Sequence, residues 1–289
     1  MRIDFISLKG RRETNEDKHT IKLNLDGKNK EENPINIYGI YDGHGIENGR
    51  IISSYLSKTL PVYLINKETK YPLKEAYIKK LYLLIQDTIK TKLKKYIEKN
   101  GSTCLIVCQY IHNNINYLDI LNTGDSRCVM CVEKKVKYSN LTSLNSPTFE
   151  AVALTQDHKP NWTKELERIT KLGGKIEFDG VDWRIGDLSV SRSFGDTEFE
   201  KYITCMPDLI RHRIDKTDKF LVIACDGLWD VMSNQDVVNF IISYCYDILT
   251  WKKINTKNNI AKLLAEYALK LGSTDNISII IVFFDDASK

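Results

Sequence analysis

The sequence is short of several features that would have settled its class at once. No apolar run approaches the ~20 residues that a membrane helix needs. The longest, Ile277 to Phe284, is interrupted by Ser278 and reads as a buried strand. The opening Met1-Arg2-Ile3-Asp4-Phe5 lacks the basic flank and apolar stretch of a signal peptide, and Arg2 excludes an amino-terminal myristoylation motif. Neither export nor lipid anchoring is expected. No repeat, Pro-rich linker or low-complexity tract divides the 289 residues, so one domain over 1–289 is the economical expectation. A strong charge of one sign is missing as well: 42 Lys+Arg face 38 Asp+Glu, a mild excess that suits acidic partners without identifying them. Cysteine is present but not as a framework. There are seven, an odd number at irregular spacing, which favours a reducing compartment, cytoplasm or nucleus. The single C-x-x-C, Cys128 and Cys131, falls in a strand-like run where odd spacing sends the side chains to opposite faces, so no zinc site is expected there. The sequons at Asn140, Asn161 and Asn276 are set aside, because a cytosolic chain would not be modified at them.

The chain does have ample apolar content, 42% of residues, for a buried core. Strand signals occupy residues 3–8, 35–41, 102–110, 115–122, 127–132, 151–154, 209–214, 220–225 and 277–284, too many for a helical bundle. An amphipathic segment from Pro72 to about Lys99 predicts a long helix lying on a sheet. Its lysines, including Lys90, Lys92, Lys94, Lys95 and Lys99, read as a solvated face rather than a nucleic-acid or membrane surface. Ser233 to Asp236 resembles a capping box opening a helix to about Thr250. Another helix runs from about Asn258 to Leu271 and stops at Gly272. A shorter one, Lys164 to Leu172, begins a polar stretch through Trp183 that reads as a surface flap at about 160–190.

Six short segments scattered along the chain each place an aspartate in a turn or after a strand-like run. They are Arg12-Glu13-Thr14-Asn15-Glu16-Asp17, Tyr41-Asp42-Gly43-His44-Gly45, Gly124-Asp125-Ser126-Arg127, Ser191-Arg192-Ser193-Phe194-Gly195-Asp196, Cys225-Asp226-Gly227-Leu228-Trp229-Asp230 and Ser273-Thr274-Asp275-Asn276. Gathered carboxylates repel one another unless they hold a cation, and all-oxygen donors suit hard cations. A single strand ending in Asp-Gly is a common turn; the ordered set is far more specific.

In that order the segments closely resemble the metal-dependent serine/threonine protein phosphatases of the type-2C family, and the resemblance covers nearly the whole chain. It implies an α+β fold, a four-layer α-β-β-α sandwich of two antiparallel β-sheets flanked by helices. It implies that Asp42 bridges two Mg2+ or Mn2+ ions, that the carbonyl of Gly43 binds one, and that Asp226 and Asp275 bind the other. Asp125 and Asp230 match positions that, in some members, hold a third, weaker metal together with the equivalent of Asp226. Two such ions share a water, lower its pKa toward ~7 and aim the hydroxide at phosphorus. No catalytic cysteine is then needed, and Cys225 is expected in the core. Arg12 matches the arginine that grips phosphate, with Arg11 an alternative beside it. Glu16 and Asp17 match carboxylates that hold metal-bound waters, and His44 the acid that protonates the leaving serine or threonine oxygen. Arg192 and Asp196 are expected to tie the flap to the core. The flap departs from the family pattern at Trp183-Arg184-Ile185-Gly186, where the arginine is displaced by one position.

The expected activity is hydrolysis of phosphoserine and phosphothreonine in phosphoprotein substrates by a monomer, with no nucleic acid or membrane as partner. A silent pseudophosphatase serving as a binding module is the alternative, but such a chain would have lost ligands that Arg12, Asp42, Asp226 and Asp275 still supply. A two-metal nuclease would need an Arg-rich stripe interleaved with aromatics, which the sequence lacks.

Overall fold

The computed structural model describes residues 1–25, 35–45, 48–135, 147–247, 254 and 256–284. In chain order the strands begin with β1 (Arg2–Leu8), β2 (Lys18–Leu23), β3 (Asn36–Tyr41) and β4 (Gly43–Gly45). Helices α1 (Gly49–Leu64) and α2 (Glu75–Lys92) follow. Next come β5 (Asn100–Ser102), β6 (Cys104–His112), β7 (Ile115–Thr123), β8 (Arg127–Lys135) and β9 (Pro147–Ala153). Helix α3 (Thr163–Lys171) precedes the short strands β10 (Glu177–Phe178), β11 (Trp183–Arg184) and β12 (Phe194–Gly195). The chain continues with β13 (Asp208–Arg213), β14 (Asp218–Ala224), α4 (Asp226–Trp229), α5 (Asn234–Cys245), α6 (Ile260–Lys270) and β15 (Ile277–Phe283). Antiparallel sheets with helices make the fold α+β, as expected.

Two compact units share the residues. The first takes Met1–Glu13, Arg127–Leu154 and Ile214–Lys289; the second takes Thr14–Ser126 and Thr155–Arg213. Each has one five-stranded antiparallel sheet and its own helices.

In the first unit the strand order is β1-β15-β14-β8-β9. Alternate residues of a strand point to opposite faces. Phe220, Val222 and Ala224 of β14 and Ile277, Ile279 and Ile281 of β15 join Val237, Val238 and Ile241 of α5 and Leu264 of α6 in one apolar cluster. Leu221, Ile223, Ile280 and Val282, on the other face, are just as buried. This is why β14 and β15 read in the sequence as unbroken apolar runs, each such side chain contributing about 1.5–3 kcal/mol by leaving water. Cys131 belongs to the helix-side cluster and Cys128 does not, so the two cysteines do take opposite faces. The capping box forms: Ser233 accepts from the Asp236 N–H at 3.2 Å and donates to its carboxylate at 2.6 Å. Helix α5 stops at Cys245, where Tyr246 turns extended at φ −133°, short of the expected Thr250, which lies outside the described residues, as does Asn140.

In the second unit the order is β13-β7-β6-β3-β2, with a small sheet β12-β5-β4 and the hairpin β10-β11 beside it. Helix α1 was not expected. Its buried residues Ile52, Leu56, Leu60 and Leu64 recur every four positions, but Pro61 sits inside the helix, and neither an acidic residue in the first turn nor a basic one in the last marks its ends. Strands β2, β4, β5 and β12 were also missed; three of them are only two or three residues long. The predicted helix from Pro72 to Lys99 is really Glu75–Lys92, so Lys94, Lys95 and Lys99 lie beyond it. Its Ile78, Leu81, Tyr82, Ile85 and Ile89 pack in one cluster with α1 and with Ile37 and Tyr41 of β3. Within the flap, Ile169, Ile185 and Ile203 form a small core of their own.

Candidate functional site

The residues singled out by sequence fall into two groups. Glu16, Asp17, Asp42, Gly43, His44 and Asp125 lie in the second unit, and Arg12, Asp226, Asp230 and Asp275 in the first.

In the second unit, β3 ends at Tyr41 and Asp42 alone separates it from β4. A Cβ on Gly43 would lie 2.7 Å from Gly49 and 2.8 Å from the Glu16 carbonyl oxygen, so only glycine lets the Glu16 segment, the start of β4 and the start of α1 approach so closely. Ser53 of α1 donates to that Glu16 carbonyl at 2.5 Å. Asp42 is pinned through its backbone: its N–H donates to the Thr103 hydroxyl at 3.1 Å and its carbonyl accepts from the Thr103 N–H at 2.8 Å. The result sets ligand atoms of Asp17 and Asp42 within 4.8 Å of each other, with Asp17 only 2% exposed. Two carboxylates that close, one of them buried and the other partly so, suit a cation between them. These hard oxygen donors fit Mg2+ or Mn2+.

His44 stands on β4, two residues beyond Asp42. Its Nε2 lies 2.7 Å from Oδ2 of Asp196, which is 1% exposed and also accepts from the Ser193 hydroxyl. Asp196 adopts a left-handed φ of 46° after Gly195, and its N–H is held by the Asn100 carbonyl at 3.0 Å. Gly101 closes the arrangement, since a Cβ there would meet the Asp196 carboxylate at 2.0 Å and His44 Nε2 at 2.5 Å. Asp196 is therefore the partner of His44 rather than a tie to the flap. Arg192 does bind the flap: it pairs with Glu165 of α3 at 2.7 Å and with Asp208 of β13 at 2.8 Å. Burial raises the Glu165 carboxyl, but Arg192 and Arg168 outweigh it and hold the group at about 2. Arg184 stays within its own hairpin, bonded to Asp179 and to the Asp187 carbonyl.

Asp125 is 2% exposed, and Lys159 Nζ reaches its Oδ2 at 2.5 Å. The turn before it is fixed by His158, which sequence reasoning left without a role. The His158 Nδ1 accepts from the Gly124 N–H at 3.1 Å while Nε2 faces Asp208 at 3.2 Å. The bond from His158 is the main reason the Asp208 carboxyl is pulled down to about 2.

In the first unit, Asp226 opens the one-turn helix α4 directly after β14. Gly227 packs against the loop that carries Asp275: its Cβ would meet the Asn276 carbonyl oxygen at 2.0 Å and the Asp275 Cβ at 3.4 Å. The Ser273 hydroxyl donates to the Gly227 carbonyl at 2.7 Å. Cys225 is fully buried, as expected. Its sulfur accepts from the Ser278 N–H at 3.2 Å and donates to the Asn276 carbonyl at 3.5 Å, which joins the two aspartate loops. Burial pushes the thiols of Cys104, Cys108, Cys128, Cys131 and Cys205 up, Cys108 and Cys205 to about 12, which makes poor nucleophiles. Asp230 is exposed, its N–H bonded to the Asp226 carbonyl at 2.9 Å. Arg12 donates to the Asp275 carboxylate at 2.7 Å, so the arginine expected to grip phosphate rests on an aspartate expected to bind metal. The neighbouring residues hold it near: the Asn276 side-chain amide donates to the Lys9 carbonyl at 2.7 Å, and a Cβ on Gly10 would strike the Asp275 carbonyl oxygen at 1.9 Å. No helix among the described residues is long and apolar enough to cross a membrane.

The family model for protein phosphatase 2C matches residues 1–277. Among curated proteins, a PP2C-like domain-containing protein of Acanthamoeba polyphaga mimivirus is 38% identical over 183 residues, covering 58% of this chain and 94% of its own. A probable protein phosphatase 2C of Oryza sativa subsp. japonica is 32% identical over 290 residues, covering 98% of this chain, which spans 66% of that protein. Protein phosphatase 1L of Bos taurus is 30% identical over 295 residues, covering 98% of this chain and 72% of its own. Two solved structures share the fold: a serine-threonine phosphatase 2C from Toxoplasma gondii (TM-score 0.72, 22% identity, 98% and 94% covered) and a C. elegans sex determining protein (TM-score 0.77, 24% identity, 98% and 64% covered).

Proposed function

Since the chain belongs to the protein phosphatase 2C family, we propose that it is an active, metal-dependent phosphatase of phosphoserine and phosphothreonine in proteins. The observation that carries this reading is the close carboxylate pair Asp17 and Asp42, followed two residues on by a histidine already held by a buried aspartate. Both features suit hydrolysis, and a binding module would need neither.

In this reading Asp42, the Gly43 carbonyl, Asp226 and Asp275 would hold two Mg2+ or Mn2+ ions, with Glu16 and Asp17 as supporting carboxylates that would orient water there. When bound, these ions supply Lewis acidity, making water a nucleophile near neutral pH and drawing charge from phosphoryl oxygens. The remaining work belongs to the chain. Arg12 is an always-charged planar fork that grips the phosphoryl oxygens, most strongly as charge builds on them. His44 donates the proton that the departing serine or threonine oxygen requires, and Asp196, 2.7 Å from its Nε2, fixes the ring. Buried, backbone-bonded cysteines take no part. The test is phosphate release from phosphothreonine, phosphoserine and phosphotyrosine peptides, alongside single-stranded DNA, in Mn2+, Mg2+ or EDTA. Release confined to the first two peptides and abolished by EDTA is expected. Cleavage of DNA, or release that survives EDTA, would overturn the reading.

A further inference from the structure

Lysine side chains are long, flexible and usually solvated, and an exposed pair with a carboxylate contributes little. Lys159 is different. The residue before it is held through both of its backbone groups: the His158 N–H donates to the Gly124 carbonyl at 3.0 Å, and the His158 carbonyl accepts from the Ser191 N–H at 2.8 Å. The His158 ring, fully buried, takes the Gly124 N–H as well. Lys159 and Asp125 are thereby fastened together through their immediate neighbours, and the ammonium meets a carboxylate that is 2% exposed. A buried carboxylate needs a counter-charge, and here the chain brings its own.

We propose that Lys159 is the built-in cation of Asp125 and controls whether that carboxylate takes a divalent metal. The inference rests on the metal-centre reading above. A cation arriving at Asp125 must first displace the ammonium, so the chain works with two divalent ions and leaves the third position weak. Removing the ammonium should strengthen a third site by at least about tenfold, the lower end of the coupling between close, desolvated charges.

The experiment counts Mn2+ bound to the full chain, by titration calorimetry and by loss of the free-Mn2+ electron paramagnetic resonance signal, with no substrate present. Wild type should bind two ions in the micromolar to low-millimolar range, Lys159→Met three, and Lys159→Met with Asp125→Asn two again. Equal counts and affinities in wild type and Lys159→Met would overturn the proposal, as would a third site that survives Asp125→Asn. Should Lys159→Met fail to fold, Asp125→Asn alone decides: an unchanged count of two supports Lys159 as the resident cation, and loss of an ion refutes it. A wild-type chain that binds no Mn2+ would overturn the metal-centre reading itself, and this proposal with it.

Discussion

Replacing Asp196 with asparagine should separate catalysis from folding. The carboxylate is 1% exposed and bonds His44 Nε2 at 2.7 Å. A hydrogen bond to a charged partner contributes about 1.5–3 kcal/mol, and the amide forfeits that attraction as the ring holds its proton for the leaving oxygen. At about 1.4 kcal/mol per factor of ten, the rate on a phosphothreonine peptide should fall roughly 10- to 150-fold, chiefly in kcat. Folding should survive. The side chain keeps its shape and its bond from Ser193, and the other carboxylate oxygen has no hydrogen-bond partner among the described residues. An unpartnered buried amide there costs about 1–3 kcal/mol, a few degrees of melting temperature at this size. The assay pairs the peptide with p-nitrophenyl phosphate, whose phenolate departs without a proton. A large loss on the peptide and a small one on the phenol ester is expected. Equal losses on both, or none on the peptide, would refute the idea that Asp196 acts through a proton-donating His44.

Asp226→Ala should abolish turnover without disturbing β14, and wild-type rates in this variant would remove Asp226 from the site. Arg12→Ala should raise KM for the phosphopeptide; because the exposed pair with Asp275 is worth at most about 1 kcal/mol, the same variant should bind Mn2+ up to about fivefold more tightly. Weaker Mn2+ binding would contradict that competition. Glu165 and Asp208 are both held at about 2, below their ordinary 4.5 and 3.8, so their contribution to anchoring the flap is complete above about pH 4.5 and is lost as pH falls toward 2. Hydrogen exchange in α3 and β13 should rise across that window, and Arg192→Ala should already show the rise at neutral pH; a flap insensitive to both would refute the anchor. Gly101→Ala should lower peptide hydrolysis by wedging a methyl between His44 and Asp196, which kinetics on the two substrates above will detect.

What the sequence made legible was local. A strand that ends in Asp-Gly, such as β3 or β14, announces both its own apolar run and the aspartate it delivers, and these two together with four other aspartate-bearing segments in order were enough to suggest the family and an α+β fold. Helix α5 was readable from Ser233 and Asp236, and α6 from Gly272, because caps and stops are short-range chemistry. Helix α1 was not, since Pro61 breaks the pattern that Ile52, Leu56, Leu60 and Leu64 keep. The supporting partners were least legible. Asp196 meets His44 across 152 positions and Lys159 meets Asp125 across 34, and nothing in either segment names the other. His158 carries no functional signal of its own in the sequence, yet its ring bonds the turn before Asp125. Such contacts are set by how strands are paired, and a linear pattern of residue types does not carry that.

The most direct test of the whole account is phosphate release from a phosphothreonine peptide as Mn2+ is titrated, with wild-type protein beside Asp42→Ala. The account predicts release that saturates with Mn2+ in wild type and is absent in the variant at every concentration. Release that is independent of Mn2+, or equal in the two proteins, would contradict it.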